Sequence, residues 1–121
     1  MSRHVLPVES IHPAIRERVS NWHRRTVEEV QGLLHAHPVV VVGMKQNPHC
    51  KRARELLDGQ KIPHQYIEYG SYLPGAWRQR LSLKMWTGWP TFPMCFFEGT
   101  FVGGADELGK LVEAGELDRL R

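Results

Sequence analysis

The residues best suited to chemistry in this chain fall in one short stretch, Lys45, Asn47-Pro48-His49-Cys50 and Lys51-Arg52. Cys50 is its only nucleophile. A cysteine reacts as the thiolate, and a helix N-terminus or nearby cations stabilise that anion. Placed in a first helical turn among Lys45, His49, Lys51 and Arg52, Cys50 has surroundings that favour thiolate. The alternative is a small, half-buried packing residue, and the residues alone leave both open. Asn47 cannot attack. Asn is among the best N-cap residues and Pro is favoured at the first helical position, so a helix cap is sufficient reason for Asn47-Pro48.

Other reactive types have plainer readings. Cys95 lies in an apolar run beside Phe96 and Phe97, and cysteine is among the most buried residue types; it is expected in the core. His35 and His37 have no acidic or cysteine partner at a suitable spacing. They suit a helix C-terminus, and no metal site is expected. Lys45 and Arg78 taken singly read as solvated charges, and Asp106 as a helix N-cap.

The elements that must position these groups follow from periodicity. Ile15, Val19 and Trp22 space a helix over about Ala14–Arg25, with Trp22 as its anchor. Thr26 is a plausible N-cap for a second helix through Val27, Val30, Leu33 and Leu34, ending near His37-Pro38. Val39 to Val42 is an unbroken β-branched run, as in a strand buried on both faces. A loop from Gly43 to Pro48 then leads into a helix that ends near Gly59, with Ala53, Leu56 and Leu57 facing inward. Gln65 to Glu68 alternates like a strand. Pro74 to Met85 reads as a helix with Trp77, Leu81 and Met85 inward, and Trp77, Trp86 and Trp89 as core or groove rim. Met94–Phe97 and Thr100–Val102 flank Glu98-Gly99 as a hairpin, and Asp106 opens a last helix. The order α-α-β-α-β-α-β-β-α predicts an α/β fold, a mixed sheet with helices on both faces.

The bulk properties set limits. The chain is 121 residues long with 41% hydrophobic residues, enough to bury one core without staples. Two cysteines are too few for a disulfide framework. No apolar leader follows Arg3 and His4, so a reducing cytoplasm is the expected compartment. The net charge is +3, and five arginines against two glutamates lie in residues 1–25. That head lacks the density of a nucleic-acid-binding tail and reads as a solvated helix face; no nucleic-acid or membrane partner is expected.

Three segments, taken together and in order, resemble the glutaredoxin family. Lys45 followed by Asn47-Pro48-His49-Cys50 and Lys51-Arg52-Ala53 is similar to the family's lysine, C-P-Y-C and x-x-A. Trp89-Pro90-Thr91-Phe92-Pro93 resembles its W-P-T-[FVI]-P segment, whose last proline is cis. Phe101-Val102-Gly103-Gly104-Ala105-Asp106 resembles F-V-G-G-C-D. The likeness spans about Thr26 to Leu120, which gives a glutaredoxin-like domain over 26–121 and an N-terminal extension over 1–25. W-P-T-F-P, G-G-x-D and Gly115-Glu116-Leu117 point to the monothiol branch, whereas x-P-x-C points to the dithiol branch.

The resemblance implies a thioredoxin-like fold with four strands and a cis Pro93. It also implies a glutathione-dependent thiol–disulfide oxidoreductase, active in protein deglutathionylation and cell redox homeostasis, with glutathione and glutathionylated proteins as partners. Asn47 then takes the place of the nucleophilic cysteine, at the helix N-cap and facing the groove. Cys50 takes the second position and is the remaining candidate catalytic residue. In this register Ala53 meets the family's alanine, and one residue is missing between Lys45 and Asn47. In the other register Cys50 is itself the first cysteine, but the helix is then three residues short, nearly a turn. Carried over, Lys45 and Arg78 meet the glycine carboxylate of glutathione, and Thr91, Phe92 and Pro93 line its cysteinyl moiety. Ala105 and Asp106 hold the γ-glutamyl end. The monothiol branch carries a bridging [2Fe–2S] cluster on its first cysteine; ligation needs a thiolate, so no cluster is expected on Asn47. The rival expectation is a non-catalytic module that binds glutathione or a protein in the same groove.

Overall fold

A computed structural model describes residues 6–20, 24–69 and 76–120. After a 3-10 turn at Val8–Ser10 come α1 (Pro13–Ser20), α2 (Arg24–Ala36), β1 (Val39–Gly43), α3 (Pro48–Gly59), β2 (Gln65–Glu68), α4 (Ala76–Thr87), β3 (Met94–Phe97), β4 (Thr100–Gly103) and α5 (Ala105–Glu113), with a second 3-10 turn at Asp118–Leu120. The sheet order is β2-β1-β3-β4. β1 runs parallel to β2, with Val41 opposite Tyr66, and antiparallel to β3, with Val41 opposite Cys95. This is the thioredoxin-like, four-stranded mixed sheet that the sequence predicts, with β1 interior.

The β-branched run of β1 is buried throughout, and strand alternation divides it between two cores. Val39 and Val41 pack with Ala53, Leu57, Cys95, Phe97 and Leu108, beneath α3 and α5. Val40 and Val42 pack with Val30, Leu83, Met94 and Phe96, towards α2 and α4. Cys95 is fully buried, as expected. The β3–β4 hairpin turns at Glu98 and Gly99, both left-handed at φ 51° and 81°, the backbone a two-residue hairpin loop favours.

Several local expectations need correction. Thr26 is not a cap. α2 already begins at Arg24, whose guanidinium pairs with Glu28 one turn on at 2.5 Å, and Thr26 is buried inside the helix. In α4 the inward positions are Ser82 and Leu83, while Trp77 and Met85 stand 50% and 53% exposed. Apolar residues surround that helix, so spacing alone could not choose its inner face. Ser82 tolerates burial because its hydroxyl donates to the Gln79 carbonyl at 2.7 Å. α5 opens at Ala105 with Gly104 as its cap, so Asp106 lies in the first turn. Ile15 is 46% exposed. Trp22 and Pro74 lie outside the described residues.

Candidate active site

The first turn of α3 divides the site. Asn47 caps the helix as its residue type predicts: its Oδ1 accepts from the His49 and Cys50 N–H groups at 2.8 and 3.3 Å, and Pro48 follows at the first helical position. The link from Lys45 is a single residue, Gln46, which holds a left-handed φ of 59°. That turn closes the loop where the family likeness is one residue short.

Cys50 lies inside the protein. It is 1% exposed, and its Sγ accepts from the Met44 N–H at 3.4 Å. Burial pushes its thiol above the usual cysteine range. The Met44 N–H and the Tyr66 hydroxyl favour the anion and Glu68 opposes it, but desolvation is the largest effect. This corrects the expectation of a thiolate-favouring environment: the surrounding cations stand outside, and the sulfur lies within the α2–α4 core. Cys95, also buried, is pushed up to about 12 by desolvation.

On one side of the turn, His49 and Arg52, one helical turn apart, join Trp89, Thr91, Phe92, Pro93, Gly104, Ala105, Asp106 and Glu107 around a hollow of about 180 Å³. The Phe92–Pro93 peptide is cis. Thr91, Phe92, Pro93, Ala105 and Asp106, carried over as glutathione-binding residues, therefore share one groove. Its wall is braced by Trp89, which meets Phe101 edge-on at 5.5 Å. Glu107 accepts from the Gly104 N–H at 3.1 Å and fixes the entry into α5. A Cβ on Gly104 would reach the Pro93 carbonyl at 3.5 Å and Trp89 Nε1 at 3.6 Å, so glycine leaves room on the groove floor. Trp89 Nε1 is buried and has no partner among the described residues. A donor without a partner beneath the floor fits a peptide-like ligand, since a buried polar group without a partner is costly.

Lys45 and Arg78 do not line this groove. Lys45 is exposed, and exposed Arg78 on α4 lies over the Trp77 ring at 5.6 Å. Asp106 is engaged: its Oδ1 pairs with Arg52 Nη2 at 2.5 Å. Sequence reasoning missed His49, Arg52 and Glu107. The i, i+3 spacing of His49 and Arg52 on α3, and of Gly104 and Glu107 at the α5 cap, carries that signal.

On the other side of the turn, Met44, Gln46, Asn47, Pro48, Lys51, Arg54, Tyr66 and Glu68 surround a second hollow of about 510 Å³. Asn47 thus lines this hollow and not the groove beside Pro93, contrary to the sequence expectation. Tyr66 donates to Glu68 at 3.1 Å, and Arg54 stacks on its ring at 4.1 Å. A third hollow, about 690 Å³, holds His35 and His37 beside Trp86 and Glu98 and shares no residue with the other two. Among the described residues, no three His, Cys, Asp or Glu side chains are grouped to hold a metal. No helix among them is long and apolar enough to cross a membrane.

Comparison with known proteins agrees with this architecture. Residues 39–102 match the glutaredoxin family model. A glutaredoxin-like protein of Dictyostelium discoideum is 42% identical over 99 residues, 82% of this chain and 80% of that one. Monothiol glutaredoxin-4 of Schizosaccharomyces pombe is 32% identical over 96 residues, 77% of this chain but 38% of that one. The crystal structure of a buckwheat glutaredoxin–glutathione complex superposes with a TM-score of 0.70 at 26% identity, over 80% of this chain and 87% of that one. With the cis Phe92–Pro93 groove, the sheet order and the sequence match in agreement, this chain belongs to the glutaredoxin family, whose members work in glutathione-dependent thiol redox chemistry.

Proposed function

We propose that this chain binds glutathione, free or attached to a protein cysteine, in the groove between His49, Phe92-Pro93 and Asp106, and that it binds rather than turns over. One observation carries the reading: beside an intact groove, Cys50 is 1% exposed with its Sγ turned onto the Met44 N–H. Disulfide exchange needs an accessible thiolate, and Cys50 is short of both access and charge. Asn47, at the family's nucleophile position, offers an amide that already caps α3. The buckwheat relative in its glutathione complex supports the choice of ligand. Residues 1–25 are an N-terminal extension ahead of a glutaredoxin-like domain over 26–121, and a reducing, cytoplasmic compartment suits the two free cysteines.

A second reading rests on the donor at the sulfur. The Met44 N–H, which donates to Sγ at 3.4 Å, favours a Cys50 anion. In that case Cys50 thiolate attacks the glutathione sulfur of a mixed disulfide and the protein thiolate leaves. A second glutathione thiolate then attacks the Cys50–glutathione bond, releasing glutathione disulfide and restoring the Cys50 thiolate.

An amide-shift titration with glutathione, paired with a deglutathionylation assay of the parent and Cys50→Ser, separates the two. The binding reading expects shifts at Thr91, Phe92, Ala105 and Asp106, and equal, negligible turnover in both proteins. Turnover in the parent that Cys50→Ser abolishes would establish the second reading. No shifts at millimolar glutathione would end both.

A further inference from the structure

The groove contains a charge pair that bears on which ligands it selects. Arg52 of α3 reaches across to Asp106 of α5, Nη2 to Oδ1 at 2.5 Å, and both residues line the groove. The glutathione reading gives Asp106 the α-ammonium of the γ-glutamyl end. In this chain Oδ1 of the carboxylate already has a cation, so an incoming ammonium meets a charge that the guanidinium has partly offset. The other acid of the groove, Glu107, is committed to the Gly104 N–H at 3.1 Å. The other cationic candidate lining it is His49.

We propose that Arg52 is a specificity-determining residue of this groove. By neutralising Asp106 it removes most of the preference for a ligand ammonium, and its remaining N–H donors, together with the first-turn N–H groups of α5, favour a carboxylate. The groove therefore accepts γ-acyl-cysteinyl-glycine ligands with or without the α-ammonium. This proposal rests on the glutathione reading.

Burial sets the size of the effect. The two side chains are 48% and 78% exposed, and exposed pairs are weak. Releasing Asp106 should change affinity by only about 1.5- to fivefold. A ratio between two ligands makes so small a change legible.

The probes are glutathione and N-glutaryl-cysteinylglycine, which keeps the carboxylate and lacks the ammonium. Each is titrated by amide shifts into the parent, Arg52→Met, Asp106→Asn and the double variant. The parent should bind the two ligands within about fivefold of each other. Arg52→Met should shift the affinity ratio of the two ligands towards glutathione by about 1.5- to fivefold. On the Asp106→Asn background the same substitution should no longer favour glutathione, because the ammonium has lost its partner. If Arg52→Met weakens both ligands alike, Arg52 is only a carboxylate ligand and the proposal falls. Binding of both with an unchanged ratio also overturns it and leaves the glutathione reading standing. Absence of groove shifts with either ligand in every protein would overturn that reading, and the Arg52 assignment with it.

Discussion

The two hollows that flank the first turn of α3 differ in what fills them. On the α5 side, His49 and Arg52 face Trp89, the cis Phe92–Pro93 segment and the α5 N-terminus. Thr91, Phe92, Pro93, Ala105 and Asp106, brought together by resemblance in the sequence, line that wall. On the β2 side, Asn47, Lys51 and Arg54 face Tyr66 and Glu68. Cys50 lies between the two, under both and open to neither. On the proposed reading the contrast teaches that ligand binding and thiol chemistry rest on separate local structure. Binding would then depend on the Trp89–Pro93 segment and the α5 N-terminus, and thiol chemistry on one loop, Met44 to Pro48.

The largest expected effect comes from restoring the missing thiol. Asn47→Cys should raise deglutathionylation turnover at least tenfold over the parent, as a cysteine at a helix N-terminus has a lowered pKa and so a larger thiolate fraction near neutrality, by roughly an order of magnitude per unit. Losing the Asn cap costs about 0.5–2 kcal/mol, which a domain stable by about 5–15 kcal/mol absorbs. A turnover assay and mass detection of the glutathionylated intermediate check it. A folded variant that binds glutathione but gains no activity would show that position 47 opens on the wrong side of α3. The contrast between the hollows would then be geometric and not only chemical.

Much of this was legible in the sequence, for identifiable reasons. The Val39–Val42 run, the Glu98-Gly99 turn and the Asn47-Pro48 cap are short-range signals, each decided by a few residues whose conformational preferences agree. The cis Pro93 and the grouping of Thr91, Phe92, Ala105 and Asp106 came through resemblance; nothing local in either segment announces the other. What failed depended on tertiary choice. The inner face of α4 was undecidable because apolar residues surround it, and Thr26 is buried within α2 and does not start it. The depth of Cys50 was not legible for a similar reason. Counting cations along the chain says nothing of whether they face the sulfur, and desolvation among Val40, Val42 and their neighbours is the largest effect on the thiol. Arg52–Asp106 joins residues 54 apart, beyond any spacing argument.

An intermediate effect is expected at Gly43. A Cβ there would fall on the Tyr66 hydroxyl and within 2.7 Å of its ring carbons. Glycine is what lets that ring lie against β1 with its hydroxyl near Cys50. Gly43→Ala should cost about 1–3 kcal/mol as the ring is forced outward, read by urea denaturation. It should also uncover Cys50 from the β2 side. In the parent, alkylation of Cys50 needs a thiolate whose pKa is held up by burial, so the rate should still be climbing above pH 9. In the variant, added solvent relieves the largest cause of that shift, and the rise should move to lower pH. Glutathione shifts on the α5 side should be unchanged. An unaltered alkylation profile would mean that Tyr66 does not cover the sulfur, and the β2-side hollow would have no bearing on Cys50.

The smallest effect tests the loop that separates the two sides. Gln46 holds φ 59°, a left-handed conformation that costs a residue with a Cβ about 1–2 kcal/mol and costs glycine little. Gln46→Gly removes that strain but also gives the unfolded chain more freedom, which opposes it by about 0.4–1 kcal/mol. The difference should be a net stabilisation of roughly 0.3–1 kcal/mol, seen as a higher urea midpoint at constant slope. Because Gln46 is exposed and lines only the β2-side hollow, groove shifts with glutathione should be the same in parent and variant. Net destabilisation would mean that the Gln46 side chain makes contacts worth more than the strain it carries. A loss of glutathione shifts would be the more serious result: the loop would then support both sides of α3, and binding and thiol chemistry could not be taken as separable in this chain.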